Sequence, residues 1–558
     1  MNPPRRLRVA VTAVLGGLGV ALLAGPALAA PAAPVAAPRA GTRGQIVIGA
    51  EQEPDCADWI DACAGASWGL WTMQEQTMPR VFDIVQRGGQ WVYAPSVLMA
   101  APPTLTTTNG AQVVTYRLNP KAVWSDGTPI TSTDFRYTWD QIAHGANIFD
   151  RTGYDRIGSV NDTDPHTAVV TFTRTFAGWR QLFGSGYGIF PSHLLAGKDR
   201  DAAMKDGYSW SGGPFKIQAW DKGVDVILVP NPNYWGPKPK SSRVTFKFLT
   251  DTAAEFQAFQ GGEVQAIYPA PQPDAVRAIK AGLTDANSVV NAATGNIEAL
   301  WINNAAFPFD SVAVRQAVAY AIDRDAIVRL LFGSLGLTTA TNSLNPPILA
   351  AYSDQRAFAG YRLDLKHVDA LMSADGWRKN GGIWQKNGRA ARFSIQSTAG
   401  DKRRELTEQV LQAQLRRAGF DVTIQNVDSN TLFGQVLPAG TYQMGLYAEV
   451  VTDLDPGLCT TFCSGNIPGP ANDNSGANWT RTNLATLDPL LEQVDTSTND
   501  ATRISASKAA DQILAAQQVT LPLDPLPNLA IWSKQISGVQ GDNPVYAMFW
   551  NLSRWQAP

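Results

Sequence analysis

The stretch YRLNPKAVWSDGTPITSTDFRYTW, Tyr116 to Trp139, constrains the fold more than any other part of the chain. It begins inside a β-branched and aromatic run, Val113 to Leu118, which suits a pleated, half-buried surface. Asn119-Pro120 stops that run, and Asp126-Gly127 is a turn pair. Thr131 and Asp134 have the spacing of a capping box, in which a hydroxyl and a carboxylate each answer a free helix amide. Phe135, Trp139 and Ile142 then recur on one helical face. Strand, turn and capped helix in so short a span belong to an α/β or α+β domain.

At 558 residues the chain is too long for one ordinary core, so two or more lobes are expected. Charged residues make up 17% and hydrophobic ones 44%, the balance of a globular chain. The formal net charge is -2 and becomes about -5 without a leader that carries Arg5, Arg6 and Arg8. No basic stripe is available to displace phosphate counterions, so nucleic acid is not an expected partner.

The N-terminus reads as an export signal. Arg5, Arg6 and Arg8 precede the apolar run Val9 to Leu23, and Ala27-Leu28-Ala29 is an A-x-A cleavage pattern. The run is short for a membrane span of ~20 residues; the competing reading is an uncleaved anchor. Arg5-Arg6 matches a twin-Arg export motif only weakly. Residues 30 to 44, rich in Ala, Pro and Gly, read as a flexible tether. The expected location is extracellular or in the cell envelope, and no cysteine before Cys56 is there to take a lipid. The four cysteines fall in two close pairs, Cys56 with Cys63 and Cys459 with Cys463. In an exported chain an even count implies disulfides. Three pairings are possible, and the two local ones are favoured because a short loop keeps its sulfurs close. The spacings do not match a C-x-x-C zinc site.

Further segments stand out along the chain. Gln45 to Ala50 is a short strand, and Gly65 to Phe82 has apolar spacing suited to a helix. Ser211-Gly212-Gly213-Pro214-Phe215 reads as a glycine turn opening a strand, its glycines permitting positive φ, and it leads on to Asn231-Pro232-Asn233-Tyr234-Trp235-Gly236. No helix follows these glycines, so a phosphate cradle is not expected. Thr252 to Gly261 reads as an amphipathic helix. Leu300 to Asn304 leads through Pro308-Phe309 to Val314 to Arg324, where small residues line one helix face and Asp323 is placed to cap the next helix. Leu406 to Leu415 is a helix closed by Gly419, and Phe420 to Val427 a strand. Residues 520 to 558 read as strands returning to an earlier lobe.

Taken in order, the blocks Tyr116 to Trp139, Ser211 to Pro239, Leu300 to Arg324 and Leu371 to Trp377 resemble the peptide-type (family 5, cluster C) solute-binding proteins of ABC importers, from about residue 45 to the end. Gln265 stands where that family usually has Asp. The resemblance implies an α/β, two-lobed periplasmic-binding-protein-like fold (type II, cluster C) with an extra subdomain in the N-terminal lobe. The implied division is leader 1–29, tether 30–44, lobe I in 45–88 and 208–298, its extra subdomain 89–207, lobe II 299–522, and a return to lobe I in 523–558. It implies hinge closure on a short peptide and delivery to an ABC importer permease, by a monomer with no cofactor and no enzymatic activity. By the same resemblance the pocket is lined by Glu51, Gln52, Trp71, Tyr187, Trp301 and Asn303. An acidic residue near a D-x-x-D-P element is implied to pair with the peptide's α-amino group. Here that region runs from Gly445 to Pro456, and the usual Asp position falls on Thr452, with Asp453 beside it and Tyr447 and Glu449 upstream.

Other readings compete. An oligosaccharide could stack on tryptophan in the same fold, and an envelope-biogenesis accessory protein could keep the fold without transport. Gly65-Ala66-Ser67-Trp68-Gly69 matches the G-x-S-x-G string of a secreted serine hydrolase, but a Cys-bounded loop precedes it where the motif needs a buried strand, and no carboxylate pair stands out for a glycoside hydrolase. The four histidines, His144, His166, His193 and His367, are scattered and form no zinc motif. The 17 Trp, 14 Tyr and 21 Phe offer core and pocket walls instead.

Overall fold

The computed structural model describes residues 44–558 apart from 66, 185, 269 and 270. The expected leader, and the tether up to residue 43, lie outside the described residues. Two large sheets organise the chain. The first has seven strands in the order Ala286–Asn291, Asn528–Ser533, Ala266–Ile267, Gln45–Ala50, Arg243–Phe248, Asp225–Pro230, Phe215–Asp221. Gln45–Ala50 lies parallel to both neighbours, and the other pairs are antiparallel. Its Ile46 and Ile48 face one core, while Val47 on the opposite face packs with Phe256 of the helix Thr252–Gln260. Covering both faces explains why this short strand is almost wholly apolar.

The second sheet has five strands, in the order Asp421–Ile424, Arg392–Gln396, Met444–Val450, Asn296–Ile302, Thr520–Asp524. Every residue of Asn296–Ile302 is buried, as an interior strand of a covered sheet requires. The helix Lys402–Ala418 lays Leu411 and Leu415, both fully buried, onto this sheet's core. Burying each such leucine contributes roughly 1.5–3 kcal/mol. The chain passes between the two sheets over residues 292–295 and 525–527. These crossings lie side by side, since Asn296 Nδ2 donates to Asn528 Oδ1 at 2.6 Å and Thr294 Oγ1 to the Leu526 carbonyl at 2.9 Å.

A four-stranded antiparallel sheet, Met99–Thr108, Ala111–Leu118, Thr167–Phe172, Ile157–Asp164, carries the opening motif of the sequence. Its helix runs Ser132–His144. Asp134 works harder than a cap. Its buried carboxylate accepts the Thr131 amide at 2.9 Å, the Trp124 indole at 3.3 Å and both the amide and hydroxyl of Ser192. The motif therefore ties a turn, a helix and a distant loop together.

Two local expectations are corrected. The helix expected over Gly65 to Phe82 is helical only from Ser67 to Thr77, with a π-turn at Leu70–Gln74, and Phe82 opens the strand Phe82–Arg87. Pro79 is the cause: it forces Met78 into extended backbone and offers no amide to continue the helix. Gly212 and Gly213 are absent from the positive-φ positions. They are small for clearance, because a Cβ on Gly213 would lie 2.5 Å from the Gln76 carbonyl oxygen and one on Gly212 2.8 Å from Pro79. Asp323 caps as expected, accepting the Ala326 amide at 2.9 Å. Residues 520 to 558 divide between the two sheets: Thr520–Asp524 closes the second, and Asn528–Ser533 returns to the first.

Candidate functional site

Between the two sheets, near the crossings, lies a cavity of about 210 Å³. One wall is aromatic because two neighbouring strands, two short helical turns and a loop converge there. Trp301 and Tyr447 stand on neighbouring antiparallel strands and stack at 5.1 Å, and the Trp301 indole donates to the Tyr447 carbonyl at 2.8 Å. Phe462, Phe433 and Trp479 extend this wall. The facing wall carries Trp59, Leu70, Tyr154 and Tyr187. The Tyr187 hydroxyl is fixed by donating to the Asp150 carbonyl at 2.9 Å.

The polar edge is acidic. Asp150, Glu449, Asp453 and Asp455 line the cavity, and no Lys, Arg or His does so among the described residues. Asp455 is neutralised by Arg503 at 2.7 Å. Asp453 accepts the Tyr93 hydroxyl and, at 2.9 Å, the Asp455 amide, the latter closing a turn before Pro456. Burial pushes Glu449 up to about 7, against a hydrogen bond from Thr461 and with the charge of Asp150 adding to the rise. Burial likewise raises Asp150, against bonds from Thr152 and Thr460.

A second chamber of about 80 Å³ adjoins the first through Gly65, Ser67, Phe433, Ala448 and Val450, which line both. Glu51, Gln52 and Trp71 line it, with Trp71 edge-on to Tyr268 at 5.4 Å. Arg404 lines it too, but is held by buried Glu298 at 2.8 Å.

Of the residues singled out in the sequence, Tyr187, Trp301, Tyr447, Glu449, Thr452 and Asp453 thus share the larger chamber, and Glu51, Gln52 and Trp71 the smaller. Asn303 lines neither: its amide donates to the Gly440 and Tyr442 carbonyls at 3.0 and 2.9 Å, bracing the sheet. Asp150, Thr460 and Trp479 were not legible, since Asp150 and Trp479 sit in irregular chain and Thr460 in a single helical turn, none with a local pattern. Ser67 lines the cavity without a histidine beside it among the lining residues, and it follows the Cys56–Cys63 loop. His144 and His193 are engaged elsewhere, with Asp140 and Asp126. Both local disulfides are formed, Cys56–Cys63 and Cys459–Cys463. Among the described residues the one grouping with metal-ligand spacing is Asp61, Cys63 and Asp201, and the Cys63 sulfur is committed to its disulfide.

The family model for the bacterial extracellular solute-binding proteins, family 5, matches residues 95–467. The chain belongs to that family. Among the relatives of this family 5 chain, the oligopeptide-binding protein OppA of Mycobacterium tuberculosis is 26% identical over 479 residues, covering 82% of this chain and 75% of the relative. A probable monoacyl phosphatidylinositol tetramannoside-binding protein, LpqW, of the same organism is 33% identical over only 184 residues, 32% of this chain and 28% of its own. In fold, this family 5 chain is similar to the oligopeptide-binding protein AppA of Bacillus subtilis, solved with a nonapeptide, at a TM-score of 0.81 and 19% identity, covering 92% of this chain and 99% of that one. An oligopeptide-binding protein of Thermus thermophilus, solved with a pentapeptide, gives 0.80 and 21%, covering 92% and 96%. The two-lobed binding-protein architecture follows. Among the described residues no helix is long and apolar enough to cross a membrane.

Proposed function

We propose that this family 5 protein is exported, captures a short peptide between its lobes as a monomer, and delivers it to an ABC importer permease without chemical conversion. The observation that carries this reading is the placement of the aromatic, acid-edged cavity between two sheets that the chain links over residues 292–295 and 525–527. Two short antiparallel crossings make a hinge, and a ligand touching both sides stabilises the closed form. The OppA relative, similar over most of both chains, supports peptide as the ligand. In this reading the lobes divide near the two crossings, and the four-stranded sheet is the extra subdomain of the first lobe. Asp453 takes the α-amino group, a charge-assisted bond, while the stacked Trp301 and Tyr447 receive apolar side chains.

Native mass spectrometry of the protein purified without unfolding tests the proposal. A bound peptide mass, displaced by excess synthetic peptide, is the expected result. A bound glycan or glycolipid in its place would overturn the peptide reading. Hydrolysis of an ester that Ser67→Ala abolishes would overturn the binding-protein reading itself.

A further inference from the structure

The peptide reading leaves two carboxylates of the cavity unused. Asp150 comes from the loop before Tyr154, and Glu449 from the strand Met444–Val450. They meet on one helical turn, Leu458–Phe462, which the Cys459–Cys463 disulfide staples. There Thr460 Oγ1 donates to Asp150 Oδ2 at 2.9 Å, and Thr461 Oγ1 donates to Glu449 Oε1 at 3.3 Å. Every hydrogen bond given to either carboxylate comes from a threonine hydroxyl or a backbone amide. The arginines around the cleft are committed elsewhere: Arg503 to Asp455, Arg156 to Glu492 at 2.6 Å, Arg404 to Glu298, and Arg151 to the Gly145 carbonyl and Ser475. Two like charges held near each other in a half-buried chamber repel, and a bound cation relieves that repulsion.

We propose that Asp150 and Glu449 form a subsite for the ammonium or guanidinium of a basic side chain, so that this protein selects peptides carrying Lys or Arg. The inference rests on the peptide reading above. The methylene stem of such a side chain lies along the aromatic wall, as long basic side chains do on apolar surface. A guanidinium can bridge the two carboxylates with its planar fork. With no cation lining the chamber among the described residues, an acidic side chain there meets only like charge.

Calorimetry on the full mature chain tests this, using tetra-alanine and its variants with one Lys or one Glu at each position in turn, with spermidine as a non-peptide cation. At least one lysyl peptide is expected to bind ~10-fold or more tightly than tetra-alanine, the span of one charged hydrogen bond. The glutamyl peptide of the same position is expected to bind more weakly. Glu449→Gln and, independently, Asp150→Asn are expected to bring the Lys-to-Ala affinity ratio towards one. Equal affinities for lysyl and alanyl peptides at every position would overturn the subsite and leave the peptide reading intact. Spermidine bound with no peptide bound would overturn the peptide reading and leave the subsite standing. No binding of either would overturn both.

Discussion

Glu298 sits at the start of the interior strand Asn296–Ile302, fully buried, and two buried guanidiniums converge on it. Arg404 Nε donates to it at 2.8 Å and Arg403 at 3.1 Å, while Asp401 lies 3.4–3.5 Å from both arginines. Burial alone would raise Asp401, but Arg403 and Arg404 hold it below its ordinary value. Burial pushes nearby Asp524 up to about 8, with Arg403 pulling down and Glu298 adding to the rise. At pH 6 Asp524 is therefore protonated, and Glu298 and Asp401 balance the two arginines. Glu298→Gln keeps the shape and an acceptor but removes one charge. Breaking a buried ion pair costs about 3–5 kcal/mol, and the retained acceptor puts the expected loss near the lower end at pH 6. The loss should shrink as pH rises. Without the repulsion of Glu298, Asp524 ionises at lower pH in the variant and replaces the missing charge, which recovers at most about 1.4 kcal/mol per pH unit. Urea denaturation followed by tryptophan emission at pH 6, 7 and 8 measures this, and Glu298→Gln with Asp524→Asn should show no recovery. A loss below about 1 kcal/mol at pH 6, or one that grows with pH, would refute the reasoning.

Stability as a whole should fall between pH 5 and 8. Burial pushes Asp61, Asp511 and Asp542 up to about 6, Glu408 and Asp495 to about 7, and Asp524 to about 8. Each group binds its proton more tightly folded than unfolded, so its contribution is complete below about pH 4 and is lost as pH rises through the folded value. Asp354, held down to about 2 by Gln512 and Arg356, acts in the opposite sense and only on acidification below about pH 4. A melting temperature that climbs from pH 5 to 8 would contradict this. Gly213→Ala should lower stability by about 1–3 kcal/mol through overpacking against the Gln76 carbonyl, whereas Gly434→Ala, with nothing within 4 Å of its Cβ, should change it little; equal urea midpoints for the two variants would remove clearance as the reason for Gly213. Asp453→Ala should weaken peptide binding by ~1.5–3 kcal/mol, and unchanged calorimetric affinity would take Asp453 out of the site.

Much of the fold was legible because its signals are local. The strand Gln45–Ala50 and the helix Thr252–Gln260 follow from side-chain period, and the helix Lys402–Ala418 ends at Gly419, whose φ of +100° few other residues adopt. The disulfides follow from short spacing in an exported chain. Where local reading failed, a distant contact or a single residue decided. The apolar spacing from Gly65 to Phe82 continues past the point where Pro79 breaks the helix. Gly212 and Gly213 look like turn glycines until the segment around Gln76 is seen pressed against them. Asn303 looks like a pocket amide but spends its donors on the backbone of the turn that leads into the neighbouring strand.

The sequence alone determined most of the elements and the family and favoured the local disulfide pairs, because turn chemistry, capping and hydrophobic period act over a few residues. The tertiary structure alone decided the chemistry of the cavity. It set Asp150 and Glu449 on one stapled turn and filled the nearby arginines with other partners. Whether a carboxylate is neutralised or left to a ligand depends on charges brought close by folding, and no local pattern records them.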